Sequence, residues 1–444
     1  MSSHQWSRRE FGTAVAGIFG ASLLPRIAHA QPAPRWALPN VNGARLNAHL
    51  EQLHAFGKNP QGGVSRVAYT DADRDARVLV QQLLRDAKLD VSIDAAGNII
   101  GRRAGSDPSR PCIIIGSHID SVPEGGNYDG QVGSMGAIEV AQTLGEAGIT
   151  TRHPLEVVIW QNEEGGLWGS HAATAVLTEA ELNTVSRSGK TIREGITFLG
   201  GDPAHLERTR RAKGSVAAYL ELHIEQGGTL DQQKQQIGVV EGIVGIKQWE
   251  VTITGFANHA GTTAMGERRD AMLTAARFTE MVNRVIRATP GRQVGTVGRI
   301  QAFPGAPNVI PGKVVLTLEI RDLDGKKIDA MFARIKAEST KVGAMNDTAF
   351  EFHQFTDNIP APTDLRIRAM VAASARELGL SHITLPSGAG HDAQDLAQIC
   401  PVGMIFVPSL KGISHAPAEY SAPEDITNGA NVLLHTLLKV DAAF

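Results

Sequence analysis

The sequence predicts a layered α/β fold in which the strands of a mixed sheet alternate with helices. Short apolar runs, typical of buried strands, occur at residues 112–116, Leu155–Trp160 and 219–222. Apolar residues recur at helical spacing in 46–56 and again after a candidate N-cap, Thr70. Because strands and helices alternate, we expect helices to pack against the faces of one sheet.

The pattern changes at about Gly245, where a second, smaller domain is expected. Its strands are predicted at 249–253, 294–300, 314–320 and 350–355, and its helices at 270–287 and 328–341. This β-α-β-β-α-β order is that of the ferredoxin-like α+β motif. A helix at 366–378 and a strand at Val402–Val407 then continue the larger domain. We therefore predict a larger domain in two parts, 31–245 and 357–444, with an inserted small domain at 246–356.

Residues 1–30 are predicted to be an export signal that is removed from the mature protein. An S-R-R-E-F sequence from Ser7 precedes an apolar stretch rich in Gly and Ala, and an A-x-A pattern ends at Ala30. These features indicate twin-arginine export, cleavage after Ala30 and a periplasmic or secreted location. An N-terminal amphipathic helix is the alternative interpretation.

The composition is that of an ordinary globular protein and argues against several classes of partner. The 444 residues include 43 basic and 46 acidic side chains, a net charge of -3 that gives no reason to expect nucleic acid. No apolar run of about 18 residues predicts a membrane span. Cys112 and Cys400 are interpreted as small core residues, although a single bridge between them remains open.

Polar residues follow the predicted strands at the points where the strands end. His118 follows the first run, Glu163 and Glu164 the second, His223 the third, and His415 comes after Val402–Val407. Ligands of open α/β sheets bind beyond the carboxyl ends of strands. Each residue taken alone has a structural explanation, but parallel neighbouring strands would bring all five to one edge.

Two aspartates complete this group. Asp120, two residues from His118, is expected to accept the other imidazole N–H. Asp129 lies in a glycine-rich turn that could bring its carboxylate close to the histidines, or it is a simple turn residue. Imidazole nitrogens and carboxylate oxygens are the ligands of catalytic zinc, so a metal-dependent hydrolase is predicted. Without a thiolate the metal stays open among zinc, manganese, cobalt and nickel.

Taken in order, the motifs resemble those of a known superfamily. They are His118-Ile-Asp120, Gly125-Gly126 with Asp129-Gly130, Glu163-Glu164, His223-Ile-Glu225-Gln226-Gly227 and Ser414-His415-Ala-Pro417-Ala-Glu419. This series is similar to that of the dinuclear-metal amidohydrolases and peptidases, whose catalytic domain is zinc exopeptidase-like and whose small domain serves dimerisation. Within this superfamily, the His-Ile-Glu-Gln-Gly motif and the segment 258–265 resemble the corresponding motifs of one branch, which contains N-carbamoyl-L-amino acid hydrolases, β-ureidopropionases and allantoate amidohydrolases. The resemblance runs from about residue 40 to 440.

The resemblance implies two divalent cations per subunit, with zinc preferred. His118 and His223 would hold one ion, Glu164 and His415 the other, and Asp129 would bridge both. Glu163 would be the general base that moves a proton from water to the leaving amine.

Substrate contacts are implied as well, in a homodimer that acts on a small ureido substrate with a carboxylate. His259 would stabilise the oxyanion from the partner subunit, and Arg321 would clamp the carboxylate. Further polar contacts would come from Gln226, Asn308, Gly388, Gly390 and His391. The alternatives are a surface ion pair for Arg321, a turn residue for Asn308 and a helix cap for His391.

The activity expected is hydrolysis of the ureido C–N bond of an N-carbamoyl-L-amino acid. Allantoate, ureidoglycolate and β-ureidopropionate are alternative substrates, and a metallopeptidase or aminoacylase is a further possibility. A periplasmic protein that binds such a ligand without turnover is the rival from another class. Members of this family are usually cytosolic, so the predicted export signal leaves the physiological substrate open. Glu124, beside the Gly125-Gly126 turn, is a position that could tune substrate selectivity.

Overall fold

A nine-stranded mixed sheet forms the centre of the larger part of the chain. The computed structural model describes residues 38–444, so the predicted export signal at 1–30 lies outside the described residues. The helices are α1 (Gly43–His54), α2 (Asp71–Asp86), α3 (Gln131–Glu146), α4 (Trp168–Thr174), α5 (Glu179–Leu182), α6 (Ile192–Phe198), α7 (Thr229–Gln233), α8 (Ala271–Ala288), α9 (Gly325–Ala344), α10 (Leu365–Glu377), α11 (Asp392–Leu396) and α12 (Pro423–Ala443). The strands are β1 (Asp90–Ile93), β2 (Ile99–Arg103), β3 (Cys112–His118), β4 (Leu155–Trp160), β5 (Val216–Ile224), β6 (Ile237–Ile243), β7 (Gly245–Thr254), β8 (Asn258–His259), β9 (Val294–Phe303), β10 (Val309–Ile310), β11 (Lys313–Asp322), β12 (Ala349–Asn358), β13 (Ala361–Pro362), β14 (His382–Ser387) and β15 (Val402–Val407).

The strand order of the large sheet places the predicted site residues along one edge. The order is β1-β2-β4-β3-β5-β15-β6-β13, and β14 also pairs with β6. The four central strands β4, β3, β5 and β15 are neighbours and run parallel, which is the condition under which the predicted site residues converge. Their carboxyl ends therefore lie together, and this is where His118, Glu163 and His223 occur.

Both faces of this sheet are buried, which explains why its central strands are continuous apolar runs. Ile113 and Ile115 of β3 belong to one core with α3 and α12, whereas Ile114 belongs to a second core on the opposite face. Cys112 and Cys400 are free and buried in the second core, and burial raises their pKa values to about 11 and about 12. The prediction that both are core residues is confirmed.

A second, four-stranded antiparallel sheet in the order β12-β7-β11-β9 forms the region that we call the lid. Helices α8 and α9 cover one face of this sheet through a third core that includes Trp249, Phe278 and Leu316. Burial alternates along β11, as expected for a strand with one covered face. The lid elements follow the predicted order, with the short pair β8 and β10 added. Across residues 38–444, no helix has the length and apolar character needed to cross a membrane.

Arg66 is a fully buried cation that joins α1 to the loop after β3. Its Nε donates to the carbonyl oxygen of Ile119 at 2.6 Å, and its Nη1 donates to those of Leu53 and Phe56 at 2.9 and 2.8 Å. Burial lowers the pKa of Arg66 to about 10. Ile119 lies between His118 and Asp120, so this guanidinium fixes the backbone of the predicted ligand loop.

We expect Arg66→Met to destabilise the fold by about 3 kcal/mol, because buried carbonyl oxygens would lose their donors. Chemical denaturation measures this change, and the exposed Arg74→Met provides a matched control that should leave stability unchanged. A wild-type midpoint for Arg66→Met would show that Arg66 does not fix this loop.

Candidate metal centre

Asp129 lies at the centre of a cluster of imidazoles and carboxylates. Its Oδ1 is 3.2 Å from His223 Nε2 and 3.8 Å from His118 Nε2. Its Oδ2 is 3.1 Å from His415 Nε2, which is 3.5 Å from Glu164 Oε1. The two oxygens of one carboxylate therefore face two different groups of donors, as a bridging ligand requires.

The donor atoms fit a pair of divalent cations. His118 Nε2, His223 Nε2 and Glu164 Oε1 are buried and have no hydrogen-bond partner among the described residues. Buried polar atoms are normally satisfied, so three unpartnered atoms at one place point to a ligand. In each of the groups His118–Asp129–His223 and Asp129–Glu164–His415, the ligand atoms lie within 4.8 Å of one another. A mixed nitrogen and oxygen donor set of this kind suits zinc and its neighbours.

Burial and neighbouring charged groups shift the pKa values of the titratable side chains at this site. Burial raises the pKa of Glu163 well above its usual range, and it raises that of Glu164 to about 7. The hydrogen bond to Asp129 raises the pKa of His415 to about 9. Metal ligands must be deprotonated, so cation binding here would compete with protons. Glu163 Oε2 lies 3.7 Å from His118 Nε2, beside the donors and within reach of a reacting molecule.

Asp120 contacts both His118 and the Glu163–Glu164 segment, but not in the way that its two-residue spacing from His118 predicts. His118 Nδ1 is 3.1 Å from the backbone oxygen of Asp120 and 3.6 Å from its carboxylate, so the carbonyl is the closer acceptor. The carboxylate instead accepts the backbone N–H groups of Glu163 and Glu164 at 3.2 and 3.1 Å. Asp120 thus orients the two glutamates as well as the histidine.

The glycine after Asp129 is required by close packing. Gly130 has a φ of +69°, and a Cβ at this position would collide with the His118 imidazole. Only glycine combines this backbone conformation with the close approach.

Glu419 and Glu221 support the cluster, although the sequence assigns neither a role. Glu419 accepts the backbone N–H groups of Asp129 at 3.0 Å and His415 at 3.3 Å, so it joins the two loops. The sequence feature that could have identified Glu419 is its four-residue spacing from His415. Glu221 lies close to His223 and His391 but already accepts hydrogen bonds from Ser117, Tyr219 and Ala393. The sequence feature that could have identified Glu221 is its position two residues before His223 on β5, which places both side chains on the same face of the strand.

Several predicted substrate contacts lie at the cluster. A cavity of about 270 Å³ is lined by Asp129, Glu163, Gln226, Gly390 and His391, among others. Gln226 Nε2 donates to Asp129 at 2.6 Å. The His391 ring lies 4.4 Å from the His223 ring, and its Nε2 is 2.7 Å from Ser387 Oγ. His391 occupies the N-cap position of α11, as the capping alternative expects, but its side chain makes no capping hydrogen bond.

Other predicted contacts are not brought to this cavity. His259 and Asn308 are exposed on the lid, at the β8–β10 pair. Arg321 pairs with Glu319 and donates from Nη1 to the backbone oxygen of Gly388, both at 2.7 Å. Arg321 therefore links the lid to the loop before His391 and is more than a surface ion pair.

An α/β sheet with imidazole and carboxylate donors at the carboxyl ends of its parallel strands is the architecture of a metal-dependent hydrolase. The chain matches the model of Peptidase family M20/M25/M40 over residues 114–439, and it belongs to that family.

Individual relatives resemble almost the whole chain. An N-carbamoyl-L-amino acid amidohydrolase of Geobacillus stearothermophilus is 40% identical over 89% of this chain and 98% of its own. A ureidoglycolate hydrolase of Arabidopsis thaliana is 36% identical over 90% and 87%. The crystal structure of a hydantoinase/carbamoylase family amidase from Burkholderia ambifaria superimposes with a TM-score of 0.83, at 36% identity over 91% and 98%. The resemblance expected from the motifs is confirmed.

Proposed function

We propose that the protein hydrolyses the ureido C–N bond of N-carbamoyl-L-amino acids and releases ammonia, carbon dioxide and the free amino acid. The observation that carries this proposal is the position of Glu163, whose side chain is 9% exposed and lines the same cavity as the donor cluster around Asp129. The 40% identical relative with this activity supports the choice of substrate.

Each residue contributes a separate part of the reaction. His118, His223, Glu164 and His415 would hold two cations with Asp129 between them. When bound, such cations lower the pKa of a water molecule and stabilise a developing oxyanion. Glu163 takes a proton from the attacking water and delivers it to the departing nitrogen, a role suited to a carboxylate that lies beside the donor cluster. Asp120 keeps Glu163 in place through the backbone N–H.

The space beside the cluster supports an amino acid with a side chain rather than a compact substrate. A second cavity of about 850 Å³ shares Gln226, Ala389 and His415 with the smaller one. It is also lined by Ile383 and Leu385, which offer apolar surface. Pockets of this size hold ligands larger than allantoate or ureidoglycolate.

The test is ammonia release from a substrate panel, with and without added zinc, manganese, cobalt or nickel. The panel contains N-carbamoyl-L-amino acids with small and large side chains, β-ureidopropionate, allantoate, ureidoglycolate, an N-acetyl amino acid and dipeptides. We expect the highest kcat/KM for a carbamoyl amino acid. Preference for allantoate or ureidoglycolate would assign an activity for which other relatives are named. Preference for dipeptides or N-acetyl compounds would make the protein a peptidase or an aminoacylase, and no turnover would leave a binding protein.

We also propose that the protein acts as a homodimer in which His259 serves the site of the partner. Its exposure on the lid, outside the cavity of its own chain, supports this arrangement. Asn308 lies beside it and would act with it, while Arg321 would take the substrate carboxylate.

Mixing two inactive variants tests this exchange. Glu163→Gln and His259→Ala should each be inactive alone. After subunits are exchanged, activity should return to about a quarter of the wild-type value, because half of random dimers contain one intact site. No recovery despite demonstrated mixed dimers would show that His259 does not act across the dimer.

Export by the twin-arginine route remains part of the proposal and places the mature enzyme in the periplasm. Mass spectrometry of exported protein should find a chain that begins at Gln31. An intact Met1 on exported protein, or no export, would contradict it.

A further inference from the structure

We propose that Gln394 forms, with Gln226, a subsite that accepts the N–H groups of a ureido substrate and selects the carbamoyl group over other acyl groups. This inference rests on the proposed function and adds a specificity-determining residue to it.

The orientation of the Gln394 side chain is fixed by its surroundings. The residue is 8% exposed, and its Nε2 donates to the backbone oxygen of Ile359 at 2.8 Å. A carbonyl oxygen can only accept, so the nitrogen of the amide must face Ile359 and Oε1 must point away from it. Ile359 lies in the connection between β12 and β13, so the contact anchors α11 to the end of the lid.

The other end of this amide has no partner. Gln394 Oε1 is buried and accepts no hydrogen bond from any residue between 38 and 444. Gln394 lines the cavity that contains Glu163 and His223. Its Oε1 faces Gly390, because a Cβ added to that glycine would lie 3.6 Å from this oxygen. A buried carbonyl oxygen without a donor is costly, so a donor on the substrate is the expected partner.

Gln226 supplies a second acceptor in the same cavity. Its Nε2 donates to Asp129, which leaves Oε1 buried and without a hydrogen-bond partner in the described part of the chain. Two residues with unpartnered amide oxygens, Gln226 and Gln394, therefore line one cavity of about 270 Å³.

A ureido group matches this pair of acceptors better than other amides do. It carries an N–H on the amino-acid side and a terminal NH2, whereas an N-formyl or N-acetyl group lacks the terminal donors. A site built to bind donors rejects analogues that lack them, because its acceptors stay unpaired. The chemistry of the pocket thus selects N-carbamoyl compounds.

The experiment compares kcat/KM for N-carbamoyl-L-methionine and N-formyl-L-methionine in three proteins, each loaded with metal. In Gln394→Met, a variant of similar shape without the acceptor, we expect the carbamoyl-to-formyl ratio to fall about 10- to 100-fold. The loss should arise from the carbamoyl substrate alone. Gln398→Met, one turn further on and exposed, removes only a hydrogen bond to Asp395 and should keep the wild-type ratio.

The outcomes separate this inference from the proposed function. The inference alone would be overturned if the wild-type protein hydrolyses the carbamoyl substrate but Gln394→Met keeps the wild-type carbamoyl-to-formyl ratio. This includes the case in which kcat/KM falls equally for both substrates. A wild-type protein that cleaves only the formyl substrate would overturn the proposed function as well. If Gln394→Met does not fold, methylation of the terminal nitrogen of the substrate gives a test in the wild type, where kcat/KM should fall. An unchanged value for the dimethylated substrate would contradict the subsite.

Discussion

Replacing Glu163 with Gln should reduce turnover by about 100- to 10,000-fold and leave the bound metal in place, on the scale of losing a general base. Glutamine keeps the shape of the side chain but cannot take up the proton. The proposed metal ligands around Asp129 are unchanged in this variant, so the effects on turnover and on metal content should separate. Ammonia release measures the first effect, and metal analysis by mass spectrometry measures the second.

The exposed Glu207→Gln is the matched control and should retain wild-type activity and metal content. Near-wild-type turnover in Glu163→Gln would remove Glu163 from the mechanism. Loss of metal together with activity would instead make Glu163 a ligand.

Replacing Asp129 with Ala should weaken the binding of both cations by at least about 100-fold, since even residues behind the ligands commonly contribute 10- to 100-fold. Asp129 is the only one of the five proposed ligands that faces both His223 and His415, at 3.2 and 3.1 Å. His415→Ala should remove one ion and leave the site of His118 and His223 able to bind the other. Metal content per subunit after dialysis distinguishes these results.

The exposed Asp107→Ala serves as the control for Asp129→Ala and should bind two ions per subunit, as the proposal expects of the wild type. If Asp129→Ala still retains two ions, Asp129 does not bridge them.

Much of the central sheet could be predicted because its strands are buried on both faces. Such strands are apolar throughout, and polar residues mark their ends, so His118 and His223 were recognisable from the sequence. The strands at one side of the sheet, such as β6 and β14, were not predicted. Their glycines and a proline interrupt the apolar pattern, and only their pairing in space makes them strands.

The supporting contacts were harder to predict because they join residues far apart in the chain. Asp129 and Glu419 are hydrogen-bonded across 290 positions, and no local pattern encodes such a pair. The unpartnered oxygen of Gln394 is likewise visible only once α11 and the lid connection are in place. Motif spacing predicts the ligands, whereas the packing of loops that are distant in the chain decides which contacts hold those residues in place.

The most direct test is an anomalous-difference map from crystals of the zinc-loaded protein. Two peaks are expected on opposite sides of the Asp129 carboxylate, one beside His118 and His223 and the other beside Glu164 and His415. A single peak, or a peak at Glu221 and His391 instead, would contradict the account.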